Sequence, residues 1–173
     1  ALTSASAPTA VCAAIEGCST QLALLAARLL WTSAVEAALR GERGGGGLDA
    51  CLVAIDSALR SLSLCSALLH PGRMVRKKLE QMVTEQVHQR GVVRSLQAAG
   101  VDSADNFDWL RQLRASHDSS SVPDLSHEAT VRKVRIHVAD VSVEYGYEYL
   151  GVTDRLVQTV LTDRAYLSLL QAL

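Results

Sequence analysis

Few residues in this chain have types and spacings that could do chemistry. Gly44-Gly45-Gly46-Gly47 could cradle phosphate groups with bare backbone. A phosphate loop also needs a Lys-Ser/Thr pair after its glycines and a strand before them. Neither is present, so the run reads as a loop between helices. Cys12, Cys18, Cys51 and Cys65 could bind metal or pair as disulfides. No C-x-x-C spacing occurs and each cysteine falls in an apolar helical pattern, so they read as buried, reduced thiols. His70, His88, His117, His127 and His137 lack metal-ligand spacing. The sequence has no G-x-S-x-G, no H-E-x-x-H and no kinase signature. Its acidic residues form no acid/base pair, so no catalytic residue is expected.

Leu156-Val157-Gln158-Thr159-Val160-Leu161 reads as a short extended segment. Read from the residues alone, Leu156, Val157 and Leu161 pack a core.

The elements around these residues follow from periodicity. About half of the 173 residues are apolar and 4% are aromatic, with abundant alanine and leucine, which favours helix. Residues 11–40 read as one helix, with Leu22, Leu25 and Leu29 on one face and Trp31, Val35 and Leu39 continuing the stripe. Residues 48–69 form a second, with Leu48, Leu52, Ile55, Leu59, Leu62 and Leu69 at heptad spacing. A third spans residues 73–99, with a stripe of Val75, Leu79, Met82, Val83 and Val87 resumed by Val92, Val93 and Leu96. Its first turns hold Arg73, Arg76, Lys77 and Lys78, read as a solvated face. Gly100 suits its C-cap. Ser103 or Asp105 caps a short helix through Phe107, Trp109, Leu110 and Leu113. A polar loop follows.

Val134, Ile136 and Val138 then alternate on even positions, and Val141, Val143, Tyr145, Tyr147 and Tyr149 on odd ones. A strand cannot change faces without an irregularity, so a bulge or tight turn is expected at Ala139-Asp140. The last helix is expected to start with Thr162 as cap and Asp163 in its first turn, with Tyr166, Leu169, Leu170 and Leu173 on one face.

Net charge is 17 minus 18, or -1, which gives no electrostatic reason to bind nucleic acid or an anionic membrane. No uninterrupted apolar run reaches the roughly 18 residues of a membrane span. Neither terminus has the signals of a natural start or stop, so both read as cuts.

Residues 145–152, Tyr-Gly-Tyr-Glu-Tyr-Leu-Gly-Val, resemble the start of the first AAA+ module of dynein heavy chains. Asp154 through Thr159, Leu161 through Arg164 and the run from Tyr166 to Leu173 extend the match. Upstream, residues 107–114, Phe-Asp-Trp-Leu-Arg-Gln-Leu-Arg, resemble the end of that family's linker. Residues 76–80 and 84–90 resemble the helix before it. The chain departs from the family pattern at Val160, where proline is usual, at Ala165, where cysteine is frequent, and at Ala115-Ser116-His117, where aromatics are usual. The cytoplasmic type fits better than the axonemal types.

The resemblance implies a mainly α fold: a linker-type helical bundle over residues 1–115, a loop over 116–130, and the start of the first AAA+ module, a short β segment and opening helix, over 131–173. It implies a part that joins a mechanical linker to an ATP-driven, minus-end-directed microtubule motor. The adenine side of the nucleotide pocket would include Leu156, Val157, Thr159, Val160 and Leu161. ATP or ADP with Mg would belong to the full motor, and the phosphate loop would follow Leu173, so this chain alone should not hydrolyse ATP. Implied partners are the rest of the AAA+ ring, other dynein subunits and, through distant parts, microtubules; nucleic acid and membrane are not expected. The implied location is cytoplasmic and cytoskeletal. The competing reading is a non-catalytic helical interaction scaffold.

Overall fold

A computed structural model describes residues 6–41, 47–68, 72–117, 133–151 and 159–172. The described chain is mainly helical, with one small antiparallel sheet. In order, the elements are α1 (Ser6–Gly17), α2 (Thr20–Leu39), α3 (Gly47–Leu68), α4 (Arg73–Ala98), α5 (Phe107–Leu110), β1 (Arg114–His117), β2 (Val134–Val138), β3 (Val141–Glu144) and α6 (Val160–Gln171).

The expected single helix over residues 11–40 is two helices. Ser19, extended at φ -70° and ψ 144°, caps α2 by accepting a hydrogen bond from the Leu22 amide at 3.3 Å. Gly17 ahead of a serine cap is a stop-start signal that the apolar pattern obscured. Lys78 secures the break by donating to the carbonyl oxygens of Ile15, Glu16 and Cys18 at 3.2, 3.2 and 2.8 Å. A cation belongs at the negative end of α1, so Lys78 is a capping group rather than part of a solvated face. The C-terminal ends of α2 and α4 follow the sequence closely. Arg40 ends α2 ahead of Gly41 at φ +67°, and Ala99 ends α4 ahead of Gly100 at φ +64°. Asn106 caps α5, not Ser103 or Asp105; its Oδ1 accepts from the Asp108 amide at 2.9 Å.

Helices α1 to α4 pack into a bundle with two apolar clusters. Trp31, Val35 and Leu39 of α2 meet Cys51 and Ile55 of α3, Val92, Val93 and Leu96 of α4, and Trp109 of α5. At the other end Ile15, Leu62, Cys65, Val75 and Leu79 pack together. Trp31 and Trp109 meet edge to face, with ring centroids 5.2 Å apart. Cys51 and Cys65 are buried in α3, as expected, whereas Cys12 and Cys18 are only half-buried. Val87, expected on the apolar stripe of α4, is exposed.

The sheet covers a different face of α2. Its order is β1-β2-β3, both pairs antiparallel, with Ala115 opposite Ile136 and Ile136 opposite Val143. Leu25, Ala115 and Val134 form its buried contact with the bundle. Residues 114–117 were expected to be helix end and loop. Their types favour no strand, and pairing with β2 makes them one. The Ala115 amide donates to Thr32 Oγ1 of α2 at 3.1 Å, inside the interface. The face change at Ala139-Asp140 is a two-residue hairpin turn, with Val138 opposite Val141. Only Ala139, the first turn residue, has positive φ (53°), as in a type II′ turn. Its amide donates to the Leu110 carbonyl at 2.7 Å, tying the hairpin tip to α5.

By length and composition, α2 and α3 are each apolar enough to cross a membrane. Isolated polar residues such as Arg28 break the apolar runs that the sequence reading looked for, without removing the average apolarity. Here the two helices pack on each other and on α4.

Candidate nucleotide-facing site

Thr159 and the first turn of α6 are the described part of the candidate site; Leu156 and Val157 lie outside the described residues. Thr159 is extended (φ -127°, ψ 167°) and caps α6, so the helix starts at Val160, three residues before the start expected with Thr162 as cap. Thr162 is the third helical residue and closes a reciprocal capping box. Its amide donates to Thr159 Oγ1 at 3.3 Å, and the Thr159 amide donates to Thr162 Oγ1 at 2.7 Å. The Thr162 hydroxyl also donates to the Thr159 carbonyl at 2.8 Å. Hydroxyls competing for backbone groups made either threonine a plausible cap, and the paired geometry selects the earlier one. Asp163 stands in the first turn, as expected.

This corrects the extended reading of residues 156–161 at its end: Val160 and Leu161 are helical. The Leu161 side chain is 76% exposed and packs no core among the described residues. The capping box occupies the Thr159 hydroxyl and amide, so Thr159 offers a ligand little more than its position. An exposed aliphatic group beside a helix N-terminus is compatible with the flat face and polar edge of a base.

Upstream, Tyr145 to Leu150 leave the sheet. The expected strand through Tyr149 ends at Glu144, although the Tyr145 amide still donates to Val134 at 2.8 Å. Tyr147 has positive φ (52°), which breaks the extended run, and its ring meets Tyr145 edge to face at 4.9 Å. Gln21 of α2 replaces the sheet as anchor. It donates to the Tyr145 hydroxyl and to the Glu148 carbonyl, both at 2.7 Å, and its Oε1 accepts from the Leu150 amide at 3.3 Å. Nothing in the polar, solvent-side position of Gln21 marked it in the sequence.

Three titratable groups sit between the helices and the sheet. Arg114 is largely buried, 3.5 Å from Glu36 and 5.9 Å from the Trp109 ring centroid. Burial lowers its pKa, and Glu36 partly offsets that. His137 Nε2 lies 2.7 Å from Ser116 Oγ. Burial, then the charges of Arg114 and Arg135, hold its pKa below the ordinary value, against a smaller opposing effect of Glu36. Arg114 bridges the helix and the sheet, reaching Glu36 of α2 and the Ala139 carbonyl of the hairpin turn.

Residues 145–173 match the family model described as the hydrolytic ATP binding site of the dynein motor region. Over 168 residues, 92% of this chain, it is 38% identical to the cytoplasmic dynein heavy chain of Dictyostelium discoideum. Over 156 residues, 88% of the chain, it is 39% identical to the cytoplasmic dynein heavy chain of Drosophila melanogaster. The chain belongs to the dynein heavy chain family. It is also 35% identical, over 162 residues, to dynein axonemal heavy chain 5 of Mus musculus. The chain spans 3% of the length of each of these relatives. The dynein motor match begins at Tyr145, the residue that Gln21 holds against α2.

Proposed function

We propose that this chain is the junction of a cytoplasmic dynein heavy chain where the mechanical linker meets the first AAA+ module. In this reading residues 1–115 are the C-terminal part of the linker, 116–130 a loop, and 131–173 the start of the module. Leu156, Val157, Thr159, Val160 and Leu161 form the adenine side of its nucleotide pocket. ATP or ADP with Mg is held by the complete motor, whose phosphate loop lies beyond these residues. The working partners are the remaining AAA+ ring, other dynein subunits and microtubules, in the cytoplasm.

The observation that carries this reading is the three-point anchor from Gln21 to the segment where the ATP-site match begins. A bond network between a long helix and the entry to a nucleotide site is what a mechanical junction requires. The exposed Leu161 at the α6 N-terminus supports the adenine assignment.

The test is nucleotide titration of the full-length heavy chain. Leu156→Asp and Leu161→Asp should each weaken binding at the first module, because a charge would enter an apolar pocket. Unchanged affinity in both variants would overturn the adenine assignment.

A further inference from the structure

Residues 145–150 are held against their own sequence preference. The alternation of Val141, Val143, Tyr145, Tyr147 and Tyr149 favours one extended run, yet the strand stops at Glu144 and Tyr147 is left-handed at φ 52°. A bulky residue avoids that conformation, so it persists only where contacts around it impose it. Strained or functional sites are where local pattern and structure disagree in this way.

The contacts that impose the bend converge on one side chain. Gln21 donates to the Tyr145 hydroxyl and to the Glu148 carbonyl, and accepts from the Leu150 amide, so its bonds bracket Tyr147 on both sides. These bonds use both amide hydrogens and the oxygen of the carboxamide. Tyr145 is also fixed by packing, against the cluster of Leu25, Ala115 and Val134. Beyond Tyr147 packing does little, since Tyr149 and Leu150 are exposed.

We propose that Gln21 is a positioning residue for the nucleotide site: it latches residues 145–150 in a bent conformation that binds nucleotide more tightly than the extended one their sequence favours. The inference rests on the proposed function, because the segment opens the ATP-site match and leads into residues 156–161. Gln21 lies on α2, outside that match, so the latch makes affinity at the module depend on a helix of the bundle. Linkage is reciprocal, so nucleotide bound at the module in turn favours the latched conformation.

The full-length heavy chain is the material for the test. Gln21→Ala should raise KM for ATP about fivefold and leave kcat within about twofold, the signature of lost binding rather than lost chemistry. A merely structural role would lower the active fraction, and with it kcat, at unchanged KM. Adding Tyr147→Asn to Gln21→Ala should bring KM back by at least about twofold, since asparagine adopts the left-handed conformation more readily. ADP should slow amide exchange over residues 145–150 in the parent chain and much less in Gln21→Ala. An unchanged KM in Gln21→Ala, no recovery with Tyr147→Asn, or equal protection by ADP in both chains would overturn the latch. Leu156→Asp and Leu161→Asp, measured alongside, separate the two readings. If they weaken nucleotide binding and Gln21→Ala does not, the latch fails and the adenine assignment stands. If only Gln21→Ala weakens it, the adenine assignment fails and the latch stands; if no variant does, both fail.

Discussion

Gln21 donates to the Tyr145 hydroxyl at 2.7 Å across 124 residues of sequence. The same carboxamide also engages Glu148 and Leu150, so one side chain on α2 holds the segment that follows the sheet. Gln21→Ala removes these bonds without touching the buried clusters. Amide exchange at Leu150 should therefore accelerate by about tenfold while amides in α4 keep their protection, because each bond contributes roughly 0.5–1.5 kcal/mol. Unchanged exchange at Leu150 would show that Gln21 is not what holds the segment.

Glu85 is 1% exposed and meets Arg28 at 3.1 and 3.2 Å, with Gln89 donating to it as well. Removing Arg28 takes the cation away from a buried carboxylate that Gln89 still meets. Arg28→Met should cost about 3–5 kcal/mol in denaturant unfolding, whereas the double change Arg28→Met with Glu85→Leu should recover most of that loss. A double variant as unstable as the single one would mean that packing, not charge, dominates the site.

The helical bundle was largely legible because its periodicity is strong. Ile55, Leu62, Val75, Leu79, Val93 and Leu96 all came from apolar spacing and all are buried. The hairpin turn was legible because alternation must change phase at an irregularity. Several features were not, the break between α1 and α2 among them. β1 exists through pairing alone, and Arg114-Ala115-Ser116-His117 has no strand signature of its own. Glu85, Gln86 and Gln89 lie outside the apolar stripe read for α4, yet the packed bundle buries them. The start of α6 was misplaced because two threonines, Thr159 and Thr162, share the cap. At the candidate segment, periodicity did not set the helical boundary, which the capping box places at Thr159.

His137 makes stability depend on pH. Its folded pKa lies below the ordinary value of 6.5, chiefly through burial and then through Arg114 and Arg135. The unfolded chain therefore takes up a proton first as pH falls. This contribution is fully present above 6.5 and is lost as pH drops through the lower folded value. His137→Asn cannot titrate there. Unfolding curves at pH 7.5 and 5 should show a smaller acid loss in the variant than in the parent chain, and an equal loss would assign the effect to other groups.

Val160 is the first residue of α6, immediately after the extended Thr159. Proline is favoured at that position: its fixed φ suits the first turn, and the amide it lacks has no intrahelical partner. Thr159, at φ -127° and ψ 167°, already has a conformation that a residue before proline can adopt. The capping box uses the amides of Thr159 and Thr162 and leaves that of Val160 out. Val160→Pro should therefore reduce the freedom of the unfolded segment without straining the helix. The expected gain is about 0.4–1 kcal/mol, read as roughly two- to fivefold slower amide exchange in α6. That helix has 12 residues and exposes Leu161, Leu169 and Tyr166, so its exchange is set by local opening and reports the change directly. Faster exchange in the proline variant would mean that the Val160 amide makes a bond the helix needs, and the boundary at Thr159 would have to move.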